Sequence, residues 1–186
     1  MTAVKITVKV TGMPRAFTDR EAMVEIGDAV KMLIVRRTLS GKDASGVAFK
    51  AYSTRPISIP TGSGRPLAPR GGTLSADGKS MFFEGGYAEY KRKSRGPGQR
   101  PSVPSPAAST SEVDLVLSGD LMRSLKVIPP TKADEVTVRT DSSTAAYAGP
   151  VNQLREFMGL APDDMRLLSD EATEAVRRAI ARLQGS

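Results

Sequence analysis

Apolar and polar positions alternate near the start of the chain, with Val4, Ile6, Val8 and Val10 separated by Lys5, Thr7 and Lys9. This is the period of a strand that buries one face, and Gly12-Met13-Pro14 ends it. The period then becomes helical. Thr18-Asp19-Arg20-Glu21 has the spacing of a capping box, and Met23, Ile26, Val30, Leu33 and Ile34 recur at helical intervals as far as Arg37. Such an apolar stripe needs a sheet or a neighbouring helix to cover it. Leu39 to Ala51, with Gly41 and Gly46, reads as a turn leading into Phe49 and Tyr52.

From Thr54 to Lys79 the chain carries Pro56, Pro60, Pro66 and Pro69 among several glycines, with only short apolar fragments such as Ile57-Ser58-Ile59. Residues 54–84 are therefore expected to form an inserted loop or a loose hairpin. Gly85 to Lys93 fits a short helix. Residues 94–111 are rich in Pro, Ser, Gly and Ala, the composition of a flexible linker or arm. Val113, Leu115 and Leu117 alternate with Asp114 and Val116, and Ser118 is placed to cap a short helix over Gly119 to Leu125. Val127 with Ile128 and Val136 with Val138 flank a proline-containing loop and predict a hairpin. Ala145 to Arg155 reads as irregular. Pro162 suits a first helical position, Asp163 and Asp164 suit the first turn, and Leu168, Ala172, Val176, Ala179, Ile180 and Leu183 mark an amphipathic final helix.

The chain is thus read as a mixture of strands, an antiparallel hairpin among them, and of helices towards its two ends. One domain over 1–186 is expected, carrying the 54–84 insertion and the 94–111 arm. Composition adjusts this picture modestly. With 39% hydrophobic residues, 5% aromatics and no Trp among 186 residues, the core rests on Val, Leu, Ile, Ala and Met. The alternating start of the chain has no long apolar run, so neither a signal peptide nor a membrane anchor is expected there, and a cytosolic origin is.

The sequence contains neither Cys nor His. That removes disulfides, thiolate and imidazole metal sites, cysteine nucleophiles and the Ser-His-Asp arrangement. Other fragments resemble catalytic motifs only in part. Gly62-Ser63-Gly64-Arg65-Pro66 lacks the Gly-Lys-Ser/Thr ending of a phosphate loop. The carboxylate pairs Asp163-Asp164 and Asp170-Glu171 are accounted for by the start of a helix. Asp114, Ser118 and Asp120 form a dense polar group, but a nucleophilic serine there would need a base at a recognisable spacing, and a helix cap explains Ser118. A non-enzymatic protein without cofactor or metal is the expectation.

The formal charge of +7 is not spread evenly. Residues 50–100 hold ten bases, Lys50, Arg55, Arg65, Arg70, Lys79, Lys91, Arg92, Lys93, Arg95 and Arg100, against Asp77, Glu84 and Glu89, leaving seventeen of each sign elsewhere. A basic, Gly/Pro-rich stretch attracts polyanions, and the alternative is that it merely keeps a loop solvated. Tyr87 and Tyr90 beside Lys91-Arg92-Lys93 can stack on bases or belong to the core. Arg55, Arg65, Arg70, Lys79, Lys91, Arg92, Lys93, Arg95 and Arg100 are the candidate contacts to DNA or to a partner.

Four strings occur in a telling order: Gly46-Val47-Ala48-Phe49-Lys50-Ala51-Tyr52-Ser53, then Tyr87-Ala88-Glu89-Tyr90-Lys91, then Val113-Asp114-Leu115-Val116-Leu117-Ser118-Gly119-Asp120-Leu121-Met122-Arg123-Ser124-Leu125, and finally Arg155-Glu156-Phe157-Met158-Gly159-Leu160 before Asp163-Asp164. Together they resemble the virion-morphogenesis and tail-completion proteins of tailed bacteriophages. Residues 54–84 and the long 94–111 run depart from the family's pattern, in which the first two strings nearly adjoin.

The resemblance implies an α+β fold class, a small, mostly antiparallel sheet packed by an N-terminal and a C-terminal helix, in a structural subunit of the phage neck repeated in a ring on the order of six or twelve copies between portal and tail tube. Its implied partners are copies of itself, neighbouring neck and tail proteins and DNA in the channel, with no membrane. Its implied place is the virion, after synthesis in the host cytoplasm. A tail terminator capping the tube and a small basic DNA-binding module are the alternatives.

Overall fold

A computed structural model describes residues 3–11, 20–62, 69–94, 113, 115, 120–130, 134–141 and 144–184. The fold is a small α+β arrangement with two three-stranded antiparallel sheets and helices near both termini. The chain divides into two compact units, one of Met1–Thr38, Lys42–Val47 and Ser124–Ser186, the other of Leu39–Gly41 and Ala48–Arg123.

In the first unit, β1 (Lys5–Lys9) joins β5 (Leu125–Ile128) and β6 (Glu135–Thr140) in the order β1-β6-β5. The β5–β6 hairpin predicted from the apolar pairs is present, with Val127 opposite Val138. The strand at the start of the chain closes on its far end, Ile6 opposite Val138 and Val8 opposite Val136. Leu125 begins β5 and does not extend the preceding helix, so that helix shrinks to Asp120–Arg123. A leucine with no exposed surface is better buried in the sheet than on one turn of helix.

Helix α1 (Arg20–Leu39) buries Met23, Ile26, Val30 and Ile34, as its periodicity predicts. Gly27 lets it approach the sheet closely, since a Cβ there would lie 2.5 Å from Val127 Cγ1 and 2.7 Å from Val136 Cγ2. Thr18 and the rest of the capping box's first half fall outside the described residues.

Helix α5 (Pro162–Gln184) runs antiparallel to α1. Arg178 meets Glu25 at 2.9 Å and Arg182 reaches Glu25 at 3.6 Å and Glu21 at 3.9 Å, so two bases one helical turn apart face two acids one turn apart. Leu168 and Ala179 are buried as the stripe predicts and Ala172 and Val176 are half-buried, whereas Ile180 and Leu183 are exposed and Ala175, outside the stripe, is buried.

Ala145 to Arg155, expected to be irregular, is mostly helix α4 (Ala145–Leu154), with Pro150 inside it. Gly149 and Pro150 argue locally against a helix. Contacts outside the segment decide otherwise: Ala148 is completely buried, Asp141 Oδ1 accepts from Thr144 N (3.1 Å) and Oγ1 (2.6 Å), and Asn152 Oδ1 accepts from Phe157 N (3.1 Å) and Met158 N (2.9 Å).

The end of α1 carries a buried charge. Arg37 pairs with Asp164 and donates through Nη2 to Phe157 O (2.7 Å) and Gly159 O (2.9 Å). Asp164 also accepts from Ala161 N at 3.0 Å, the reach-back half of a capping box for α5. Asp163 is exposed and, among the described residues, pairs within its own helix, with Arg166.

In the second unit, residues 54–84 hold a sheet of order β2-β4-β3, from β2 (Ile57–Pro60), β3 (Thr73–Leu74) and β4 (Ser80–Phe83). The loose hairpin expected there is a β3–β4 hairpin with β2 added on the other side of β4. Ser75 and Gly78 provide its turn, with Gly78 N donating to Ser75 O at 2.9 Å. Helix α2 (Gly86–Ser94) follows, in agreement with the expected short helix, and α3 (Asp120–Arg123) completes the unit. Among the described residues, no helix is long and apolar enough to cross a membrane.

Candidate functional site

Three of the bases, Lys91, Arg92 and Lys93, lie on α2. Phe83, at the end of β4, has no exposed surface, and its ring meets Tyr90 at 5.3 Å between centroids. Tyr90 meets Tyr87 at 5.6 Å, and Tyr87 meets Tyr52 at 5.2 Å. All three pairs are tilted or edge-on, the arrangement that aromatic quadrupoles favour. Tyr90 is buried in the core, one of the two roles that the sequence leaves open for it, and Tyr87, half-buried, packs against it.

Lys91 belongs to the same cluster. It is 2% exposed, its Nζ donates to Tyr52 Oη at 2.9 Å, and it stands 4.4 Å from that ring's centroid. A cation held over an aromatic face inside the unit stabilises that packing, and its charge does not reach solvent.

Lys93 is also engaged. Its Nζ donates to Gly71 O at 2.7 Å and pairs with Glu89 one turn earlier, tying the approach to β3 to α2. Glu89 in turn accepts from Gly85 N at 2.7 Å, closing the start of the helix. Lys93, and after it the Gly85 amide, hold the Glu89 carboxyl below its ordinary value of 4.5.

A carboxyl depressed on folding stabilises the folded state above the unfolded value and loses that contribution as pH falls through the folded one. The E89Q variant is thus expected to unfold in less urea than the parent at neutral pH. The difference should shrink as pH falls below 4.5 and vanish below the depressed value. A gap that stays constant across that range would show that Glu89 acts through packing alone.

Of the nine predicted contact residues, Arg55, Arg70, Lys79 and Arg92 are exposed, Lys93 is partly exposed but paired, and Lys91 is buried. Arg65, Arg95 and Arg100 lie outside the described residues. Two of the exposed four stand beside structural joints. Arg70 precedes the Gly71 carbonyl held by Lys93, and the Arg55 carbonyl lies against Gly86. Lys79 follows the β3–β4 turn, where Asp77 Oδ1 accepts from its amide at 3.1 Å and from Ser75 Oγ at 2.6 Å. Those two bonds, the hydroxyl's first, hold the Asp77 carboxyl below its ordinary value of 3.8.

Arg92 borders an open groove of about 440 Å³ with Glu84, Gly85, Ala88 and Glu89. Glu89 is committed to Gly85 and Lys93, which leaves the groove one further carboxylate and one guanidinium, a mixed-charge surface with no nucleophile. Among the described residues, no group of three Asp or Glu is placed to hold a metal ion.

Sequence reasoning misses two features here. Lys91 sits in an Ala88-to-Lys93 stretch that looks like a solvated helix face, and only Tyr52, thirty-nine residues earlier, reveals its burial. Arg37, in the last turn of α1, looks like a dipole-complementing surface base, and its partner Asp164 is 127 residues away. No family model matches the chain, and no curated protein or solved structure matches it.

Proposed function

We propose that this chain is a structural subunit of a tailed-phage neck, joining head to tail by ring formation and arm-mediated contacts. The observation that carries the reading is the order of the four strings along the chain. In support, these strings supply much of the buried framework: Phe49, Tyr52 and Tyr90, then Val113, Leu121, Met122 and Leu125, then Phe157 and Met158. A family resemblance resting on core-forming positions is more informative than one on solvated residues.

The finer arrangement follows from this reading. A basic insertion over 54–84 and a Pro/Ser-rich arm over 94–111 reach adjacent rings or the DNA passage, while the α+β body builds the ring. Met165, Leu167, Ile180 and Leu183 on α5 are exposed large apolar side chains that a neighbouring subunit can cover. Mass spectrometry of purified virions of the encoding phage is expected to detect the chain, and a particle reconstruction is expected to show it in the neck. Its absence from assembled particles would defeat the reading, and its presence on free tails alone would favour the tail terminator.

A second reading, a small DNA-binding module, is favoured by the solvent exposure of Arg55, Arg70, Lys79 and Arg92. It requires duplex affinity that falls steeply with salt and flattens when these four are changed to glutamine. A salt-independent response in the unaltered protein would eliminate it.

A further inference from the structure

Among the described residues, the first unit's sheet has an open edge at β1. In the order β1-β6-β5 among the described residues, β1 pairs on one side only. Val4 O accepts from Thr140 N at 3.0 Å, and Val10 N donates to Asp134 O at 2.9 Å. With Ile6 opposite Val138 and Val8 opposite Val136, the even-numbered residues bond to β6. The N–H and C=O groups of Lys5, Thr7 and Lys9 therefore point away from the sheet, as alternation in an antiparallel ladder requires.

The two faces beside this edge differ in chemistry. On the inner face a groove of about 410 Å³ runs between β1 and α5, bordered by Val8, Val10, Ile26, Leu168, Ala172 and Val176. Ile6 and Val8 are only half-buried, although their partners Val138 and Val136 are each 1% exposed. The apolar cover thus stops one strand short of the edge.

On the outer face, Lys5 stands opposite Arg139, and Arg139 opposite Lys126. The first pair is of the non-hydrogen-bonded kind, in which side chains lie closest. Lys126 has a 3.6 Å contact with Asp141, while Lys5 and Arg139 form no ion pair among the described residues. Like charges directly opposed across strands are destabilising, so among the described residues the Lys5–Arg139 pair has no anionic partner, whereas Lys126 has Asp141 and Lys9 stands opposite Glu135.

We propose that the free edge of β1 docks an extended segment of a partner protein in which acidic residues alternate with apolar ones. Added as a fourth strand, such a segment satisfies the outward amides and carbonyls. Its apolar side chains enter the groove beside α5, and a carboxylate on its outer face stands next to Lys5, whose own neighbour on the other side is Arg139. A second copy of β1 fits poorly, because antiparallel pairing centred on Thr7 sets each Lys5 against a Lys9. A nucleic-acid strand would meet the cations and leave both the edge amides and the apolar groove unused. The inference rests on the first unit alone and is independent of the phage reading.

The test measures binding of the full chain to a short fluorescein-labelled peptide of alternating glutamate and valine, and to its lysine–valine counterpart, by fluorescence anisotropy. The acidic peptide is expected to bind at least about tenfold more tightly, equivalent to about 1.4 kcal/mol. Lys5→Glu should erase that preference. Thr7→Pro, which removes an outward N–H at an edge position that tolerates proline, should weaken binding by about tenfold or more with an unchanged circular-dichroism spectrum. Ala172→Arg, which fills the groove without touching the strand, should do the same.

Equal binding of the two peptides, no binding of either, or indifference to both Thr7→Pro and Ala172→Arg would overturn the proposal. So would a labelled oligothymidine bound in the peptide's place and released by Lys5→Glu, which assigns the face to nucleic acid. A dimer in sedimentation that Thr7→Pro dissolves would assign the edge to a second copy and overturn it equally.

Discussion

Replacing Asp164 with alanine is expected to cost the folded state about 3–5 kcal/mol, measured as a fall in the urea unfolding midpoint of the first unit. Arg37 is 6% exposed and Asp164 8%, so the substitution leaves a guanidinium in low-dielectric surroundings without its counter-charge. The Phe157 and Gly159 carbonyls still accept from it, but they offer partial charges only. The Ala161 amide loses its acceptor as well, and with it the start of α5.

Two comparisons separate burial from pairing. Asp163→Ala removes an exposed pair with Arg166 and should cost no more than about 1 kcal/mol. The double change Arg37→Met with Asp164→Leu should recover most of the loss, because an apolar pair of similar volume has no desolvation to offset. A loss for Asp164→Ala as small as that for Asp163→Ala would mean that water reaches the pair.

Gly86→Ala is expected to destabilise the second unit by about 2–4 kcal/mol. Gly86 has a φ of +66°, where a side chain is strained. A Cβ there would lie 2.4 Å from Arg55 O and 2.6 Å from Ser53 O, so backbone and not a flexible side chain must move. Ser53 O also accepts from Ala88 N at 3.2 Å, and that bond would be lost in the shift.

Gly78 provides the internal control. Its φ of +67° is nearly the same, yet a Cβ there meets nothing within 4 Å. Gly78→Ala should therefore show the conformational term alone, about 1–2 kcal/mol. Equal losses for the two variants in urea unfolding would show that the close approach of residues 53–55 to α2 contributes nothing.

Where a short local pattern decides an element, the sequence reveals it. The alternation through Val10, the stripes of α1 and α5, the β5–β6 hairpin and α2 all emerge from spacing of two or of three and four, because burial of one face is their dominant energy. The β2-β4-β3 sheet is only partly legible. Its strands are two to four residues long, too short for periodicity to exceed the glycine and proline signals around them. Helix α4 is hidden for the opposite reason, since Gly149 and Pro150 disfavour it locally while burial of Ala148 and the hydrogen bonds that tie Thr144 to Asp141 and Asn152 to Phe157 and Met158 anchor it to its flanks.

The candidate contact surface divides in the same way. Nine basic residues are visible as a cluster in the sequence, but sequence distance says nothing about which of them reach solvent. Lys91 is turned inward by Tyr52, and Lys93 is held by Glu89 and Gly71. Conversely, Lys5, Lys126 and Arg139 lie far apart in a stretch that appears charge-balanced, and strand register alone puts them in one row.

By itself, then, the sequence determined the α+β class, the terminal helices, the absence of cysteine and histidine chemistry, and the location of the excess charge. These depend on composition and on neighbours within a few residues. The tertiary structure decided which charges are buried, which are paired and which line up across strands. Those outcomes depend on desolvation and on contacts between residues more than a hundred positions apart, such as Arg37 with Asp164 and Lys5 with Arg139, and no local pattern encodes them.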